Sequence, residues 1–347
     1  MKPFKFKYNR VRRSYTGGKG IDLLRNSTAP ADNEYPEDWI ASTVSAYQRP
    51  GEQADTGISI IADSHDTKFS VLLEQCSEEL LGKKHVEKFG AETGFLMKLL
   101  DSAIRLPVQV HPDKATAQKL FRSDYGKTEA WLILGSRPID DQPPYLLIGF
   151  NEKFDRDLFI KESLIGQLDK SLDMMHRIAV KPGDVFMITG GLPHAIGPGL
   201  TLVEIMEPSD WIVVSERCCG AVTIPELRRF NGLPPQQAME IFDFTPRTRE
   251  QLLNQCYLAP VACDASLNTL IDRNDVHYFG LQKLSLQGSY CLKNHETICR
   301  AGIVINGNMT LNGLSLQAGD TFFLPAAIAE YYFSGSGEII LALPPIS

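Results

Sequence analysis

Two stretches of this chain align without a gap: Gly183-Asp-Val-Phe-Met-Ile-Thr-Gly-Gly-Leu-Pro-His194 and Gly319-Asp-Thr-Phe-Phe-Leu-Pro-Ala-Ala-Ile-Ala-Glu330. Each opens on a Gly-Asp turn and runs into an alternating strand with Phe at the same place. Each then passes a corner and ends on a polar residue, His194 or Glu330. A glycine-bearing hairpin signal follows both, Gly197-Pro-Gly199 and Ser334-Gly-Ser-Gly337, and then a hydrophobic strand. A unit repeated in this way predicts a β-barrel built twice.

The surrounding pattern agrees. Short β-type runs bounded by Gly, Pro and Asn dominate residues 104–215 and 278–345; examples are Trp131-Leu-Ile-Leu, Tyr145-Leu-Leu-Ile-Gly-Phe and Leu202-Val-Glu-Ile-Met. Helical spacing is predicted for Leu72, Leu73, Leu80 and Leu81, then for Phe95, Leu96, Leu99 and Leu100, and within Phe154–Met175 and Ile224–Phe242. The fold class is therefore mostly β with helical insertions. Thirty-five Lys and Arg against forty-two Asp and Glu give a net charge of −7. That sign argues against a phosphate backbone as a broad partner, so no nucleic acid is expected. No apolar run is long enough for a membrane span and no signal segment precedes the fold, so a cytoplasmic protein is expected. Seven scattered cysteines without a C-x-x-C pair read as reduced thiols.

Candidate chemistry gathers in the first copy of the repeat. Gln109-Val-His111 places two side chains on one face of an extended segment, and Lys127-Thr-Glu129 does the same at the start of the next strand. With His194 these give two imidazoles, a carboxylate and an amide oxygen. The set suits one zinc ion per chain with an open position, or another divalent metal such as Mn, Fe or Co. An isolated histidine in a β protein is usually structural; the paired spacing on two strands is what favours a metal. His65 and His85 are expected to be solvated, and His176, His277 and His295 to be structural.

The segment Gly183…Gly191…His194 resembles the second motif of the cupin superfamily, with Thr189 where that motif has proline. In the second copy Gly319 and Pro325 fit, whereas Ala327 and Glu330 depart. The resemblance implies a bicupin in which only the first barrel keeps its metal histidine. The expected organisation is an N-terminal region with a metal-binding barrel over 1–216, including a helical insertion at about 70–103, a helical segment at 217–255 and a degenerate barrel over 256–347. Taken in order, Gln109-x-His111-Pro-Asp113, Gly126-Lys-Thr-Glu129-x-Trp131, His194-Ala, Glu204 and Ser209-Asp210 resemble the class I phosphomannose isomerases. Gly17-Gly18, Glu37-Asp-Trp39-Ile-Ala-Ser42 and Leu80-Leu-Gly82 match further elements of that family.

The resemblance implies a zinc enzyme of carbohydrate metabolism that interconverts mannose 6-phosphate and fructose 6-phosphate through an enediol. Gln109, His111, Glu129 and His194 would hold the metal, and Lys127 would order the substrate or shuttle protons. Glu37, Asp210 and Glu207 are acidic candidates near the pocket. Two positions depart from the family. Val214 stands where it has an arginine lining the active site, and Pro107 where it has a serine. Arg217, or another cation such as Arg105 or Lys98, is expected in the space left by Val214. Two alternatives follow from these departures: an isomerase of another aldose, or a bicupin that binds a sugar or sugar phosphate without turning it over.

Overall fold

The computed structural model describes residues 1–46, 55–139, 141 and 143–346. Three large antiparallel sheets organise the chain, and the mostly β class is what the structure shows. The seven-stranded sheet runs in the order Tyr257–Leu258, Val185–Ile188, Glu129–Ser136, Leu200–Met206, Leu96–Asp101, Glu37–Ile40 and Arg10–Val11. Facing it is a five-stranded sheet in the order Val213–Val214, Gln109–Val110, His194–Ile196, Tyr145–Phe150 and Met175–Ala179. The C-terminal sheet has eight strands, the longest being Gly280–Lys293, Arg300–Leu311 and Glu330–Leu343. Two short strands cross between units: Phe4–Lys5 pairs with Thr321–Leu324 of the C-terminal sheet, and Tyr257–Leu258 pairs with Val185–Ile188 of the first unit.

The internal repeat survives in hydrogen-bond detail. Gly183 and Gly319 both take positive φ, 92° and 84°, a conformation that glycine reaches without a Cβ clash. In each copy the following aspartate accepts from the backbone N–H three residues earlier, Lys181 to Asp184 at 2.9 Å and Gln317 to Asp320 at 3.0 Å. The copies then diverge. In the first, Gly197-Pro-Gly199 breaks the chain into His194–Ile196, which joins the five-stranded sheet, and Leu200–Met206, which joins the seven-stranded one. In the second, Ser334-Gly-Ser-Gly337 is not a hairpin; it lies inside the single strand Glu330–Leu343. A Cβ on Gly335 would sit 2.4 Å from the Asn308 carbonyl oxygen and one on Gly337 2.1 Å from that of Asn306. These glycines therefore serve close strand approach rather than a turn.

A second expectation is overturned at Leu96–Asp101. Helical spacing predicted a helix there; the segment is a strand with all six residues buried. Met97 and Leu99 pack with Leu132, Val203 and Ile205 against Phe279, Leu281, Ile303 and Ile340 of the C-terminal sheet. Leu100 faces the other way, into the first barrel with Trp131, Ile133 and Leu202. A strand apolar on both faces loses its two-residue alternation, and its leucines then mimic helical steps. The leucines at 72–81 do lie in helices, Phe69–Gln75 and Ser77–Leu81.

The seven-stranded sheet thus has one face spent on apolar contact with the C-terminal unit and one face turned inward. Burial of the first face couples the two units. Ile205→Ala at this seam is expected to cost about 2–5 kcal/mol and to lower a single calorimetric transition. A transition that splits into two would show that the units unfold independently.

Candidate metal centre

The inward face carries the charged side chains. Gln109 pairs in register with His194 on one side and Val214 on the other, and Glu129 opens the strand that pairs with Leu200–Met206. These positions bring His111, Glu129 and His194 together, with one ligand atom from each lying within 4.8 Å of the others. Glu129 Oε2 is 3.1 Å from His111 Nε2, and Glu129 Oε1 is 3.2 Å from His194 Nε2. Gln109 Nε2 is 3.2 Å from His194 Nε2, and half a turn of its terminal amide would present Oε1 to the same point. Lys127 Nζ lies 3.0 Å from His111 Nε2 and 3.2 Å from Glu129 Oε2.

The imidazole tautomers follow from the outer contacts. His111 Nδ1 is 2.8 Å from the Trp211 carbonyl oxygen and His194 Nδ1 is 2.9 Å from that of Leu192. A carbonyl only accepts, so both Nδ1 atoms carry the proton and both Nε2 lone pairs point at Glu129. Burial first, and then Lys127, hold the His111 pKa down at about 3, which keeps the ring neutral. Both Glu129 oxygens are buried without a hydrogen-bond partner. Burial would push this carboxyl up, but the Lys127 ammonium beside it outweighs burial and holds it well below its ordinary value. One carboxylate and two lone pairs converging out of water fit a divalent cation, with Gln109 as a fourth donor.

A cavity of about 390 Å³ opens from this cluster. Its wall carries five cations, Arg12, Arg13, Lys98, Lys127 and Arg228, against two acids, Glu37 and Glu204. Leu106, Pro107, Ile212, Val214 and Ile224 form an apolar side. Cross-strand pairing sets Lys98 beside Glu204, with Nζ 3.0 Å from Oε1. Burial raises the Glu204 carboxyl, and Lys98 offsets only part of that. Asp210 lies behind the wall, 3.5 Å from Arg13 and 3.1 Å from Arg228. Burial alone would raise it, yet these arginines hold it far below the usual carboxylate range.

Of the residues singled out in the sequence, Lys127 borders both the cavity and the metal cluster. Glu37 lines the cavity but is tied by Tyr15 Oη at 2.6 Å, Trp39 Nε1 at 2.8 Å and Arg13 at 3.2 Å. Burial raises it and Arg13 and Lys98 pull it lower still, so it is a weak base. Arg217 does not line this cavity: it is exposed, and its guanidinium donates to the Ile165 carbonyl at 2.9 Å. The chain turns away after Val214 because Glu216 folds back onto Arg105 and the Val108 N–H, each at 2.7 Å. That contact also keeps Arg105 from the cavity, whereas Lys98 occupies its wall. His85 is not solvated; it is 1% exposed with Nε2 2.7 Å from the Glu92 carbonyl oxygen. Glu204 and Lys98 had a legible signal, a single charge inside an apolar strand. Arg228, on a four-residue helix, had none.

Two family models match the chain: the catalytic domain of type I phosphomannose isomerase over residues 26–129, and the cupin domain of mannose-6-phosphate isomerase over residues 272–344. The chain belongs to the type I phosphomannose isomerase family. Among its relatives is the Bacillus subtilis protein named probable mannose-6-phosphate isomerase GmuF, 28% identical over 279 residues, which cover 76% of this chain and 80% of that one. The solved mannose 6-phosphate isomerase of Bacillus subtilis superposes with a TM-score of 0.75 at 19% identity over 99% of both chains. A zinc-bound mannose 6-phosphate isomerase does so with a TM-score of 0.75 at 16% identity over 100% of both. At these identities the structural likeness speaks for the fold alone.

Within this phosphomannose isomerase fold, two outcomes test the cluster and its surroundings. The purified chain is expected to hold about one divalent ion by elemental analysis, and His194→Ala to lose it on dialysis against a mild chelator. Asp210→Asn is expected to cost about 3 kcal/mol at neutral pH. A depressed folded-state pKa stabilises above the unfolded value of about 3.9 and is lost as pH falls below it. The gap between wild type and Asp210→Asn in urea titrations should therefore shrink on acidification from about pH 5.

Proposed function

We propose that the chain is a metal-dependent aldose–ketose isomerase that interconverts mannose 6-phosphate and fructose 6-phosphate. The observation that carries this reading is a buried metal-ligand cluster at one end of a cavity whose wall gathers five cations, in a chain of net charge −7. An acidic protein that takes an anionic sugar must concentrate its positive charge where the anion docks.

A divalent ion such as zinc, held by Gln109, His111, Glu129 and His194, would supply positive charge at the end of the pocket where negative charge develops. The chain's own residues supply the rest. The cations Arg12, Arg13 and Arg228 receive the phosphate. Glu204, buried and with its carboxyl raised by burial, is a stronger base than a free glutamate when ionised. It takes the proton from C2 of the open-chain aldose as the C2–H electrons form the enediol double bond, and returns it to C1. Lys127 moves the hydroxyl proton between the oxygens on C2 and C1, and Lys98 holds Glu204 in place. The apolar wall from Leu106 to Ile224 excludes water from the carbons. We place this reaction in the cytoplasm, a setting that suits cysteines that are all free.

Isomerisation in deuterated water tests the reading. Mannose 6-phosphate should be converted with deuterium appearing at the exchanging carbon. Lys127→Met and Glu204→Gln should each lower kcat by about 10²–10⁴ while KM moves little. A metal-loaded, folded protein that neither converts nor labels either sugar phosphate would refute it, and turnover of a different aldose would redirect it to that substrate.

A further inference from the structure

Lys127, just before the strand Glu129–Ser136, and Glu129, its first residue, both point into the site, so the residue between them governs the aim of both. The strand pairing that holds this segment stops short: Glu129 opposite Met206 is the last register pair. Thr128 lies one residue beyond, and Glu207 takes over both of its backbone groups. The Glu207 N–H donates to the Thr128 carbonyl at 3.0 Å, and Glu207 Oε2 accepts from the Thr128 N–H at 3.0 Å. Neighbouring bonds pin the same turn, with Ser209 Oγ donating to the Gly126 carbonyl at 2.5 Å and the Lys127 N–H to that of Pro112 at 2.9 Å.

Glu207 takes no part in the reaction pocket. It is 1% exposed, and its second oxygen has no hydrogen-bond partner. It lines a separate cavity of about 180 Å³ where Lys114 and Tyr125 of the first unit meet His277 and Tyr278. Lys114 Nζ is 3.6 Å from Glu207 Oε1 and 4.9 Å from the centre of the Tyr278 ring. Tyr278 lies two residues before the start of the strand Gly280–Lys293 of the C-terminal sheet. A continuous set of contacts thus leads from that sheet through Tyr278, Lys114, Glu207 and Thr128 to the pair that faces the metal cluster.

We propose that Glu207 is a positioning residue for the metal centre: it fixes the backbone between Lys127 and Glu129, and the C-terminal unit braces it through Tyr278 and Lys114. This rests on the reading of the cluster as a metal-dependent isomerase site. A carboxylate ligand aimed by a rigid strand end binds metal more tightly than one on a fraying end, and loss of such outer support costs about 10–100-fold in affinity.

Zinc affinity, measured by competition with a chromophoric chelator, and the steady-state constants for mannose 6-phosphate test this together. Glu207→Met keeps the side-chain volume but removes the acceptor. It should weaken zinc binding by about 10–100-fold and lower kcat more than it changes KM, with a thermal midpoint near that of the wild type. Glu207→Gln keeps an acceptor for the Thr128 N–H and should recover zinc affinity to within a few-fold. Tyr278→Leu should weaken zinc binding less than Glu207→Met does. Wild-type zinc affinity in folded Glu207→Met, or in Glu207→Ser if the methionine variant does not fold, would overturn the proposal, as would a glutamine variant as weak as the methionine one. Zinc affinity is read without turnover, so an inactive wild type would refute the isomerase reading and leave this test standing.

Discussion

A carboxylate and two imidazole lone pairs held within 4.8 Å of one another, out of water, repel each other unless positive charge stands among them. The construction of the first barrel follows from holding that arrangement. The Trp211 and Leu192 carbonyls fix the tautomers, and Lys127 bonds into the cluster from the segment just before the strand Glu129–Ser136. Strand register places Gln109 between His194 and Val214. Each contact has the energy of an ordinary hydrogen bond or ion pair, but breaking one leaves a buried charge without compensation, which costs more than the contact itself contributes.

The same logic extends outward as alternating charge. Arg228, Asp210, Arg13, Glu37, Lys98 and Glu204 follow one another in space, each within 4 Å of the next. Inside a barrel such a series keeps every member ionised or shared, and it lets a pocket present arginines and a lysine while their counter-charges sit beside or behind them. Val214 and Pro107 alter the pocket without breaking this series, because its cations come from other elements: the N-terminal strand region, the strand Leu96–Asp101 and the short helix that carries Arg228. An apolar side chain at each of those two positions therefore says little about how much positive charge the pocket holds.

Much of this was legible in the sequence because it depends on local spacing. The i, i+2 pairs Gln109/His111 and Lys127/Glu129 and the turn before His194 carry their own geometry, and the structure converges the two histidines and Glu129 as that spacing predicts. The repeat was legible too, since a Gly-Asp turn with positive φ leaves a sequence mark. What depends on distant burial was not. Leu96–Asp101 looks helical because both of its faces are apolar, and only the C-terminal sheet against its outer face explains why. His85 sits among charged residues in the chain yet is buried. Arg217 and Arg228 are indistinguishable by composition; whether each reaches the cavity is decided by Glu216 folding back on Arg105 and by Asp210 holding Arg228.

The two copies of the barrel divide the work through one difference in a strand. In the first copy Gly197-Pro-Gly199 breaks the strand, so its two halves belong to different sheets, and the half that begins at His194 brings that residue to the cluster. In the second copy the equivalent strand Glu330–Leu343 is continuous, and it closes on an apolar interior that includes Leu286, Val304, Phe322, Phe333 and Leu341. That copy has no histidine at its corner, and the Glu330 carboxylate there bonds the exposed Tyr332 hydroxyl instead. Its stability is spent on the shared seam, where Leu281, Ile303 and Ile340 press against Met97, Leu99 and Ile205. Burial at that seam holds in place the sheet whose other face aims Lys98, Glu129 and Glu204, so the C-terminal unit buttresses the sheet that carries the cluster.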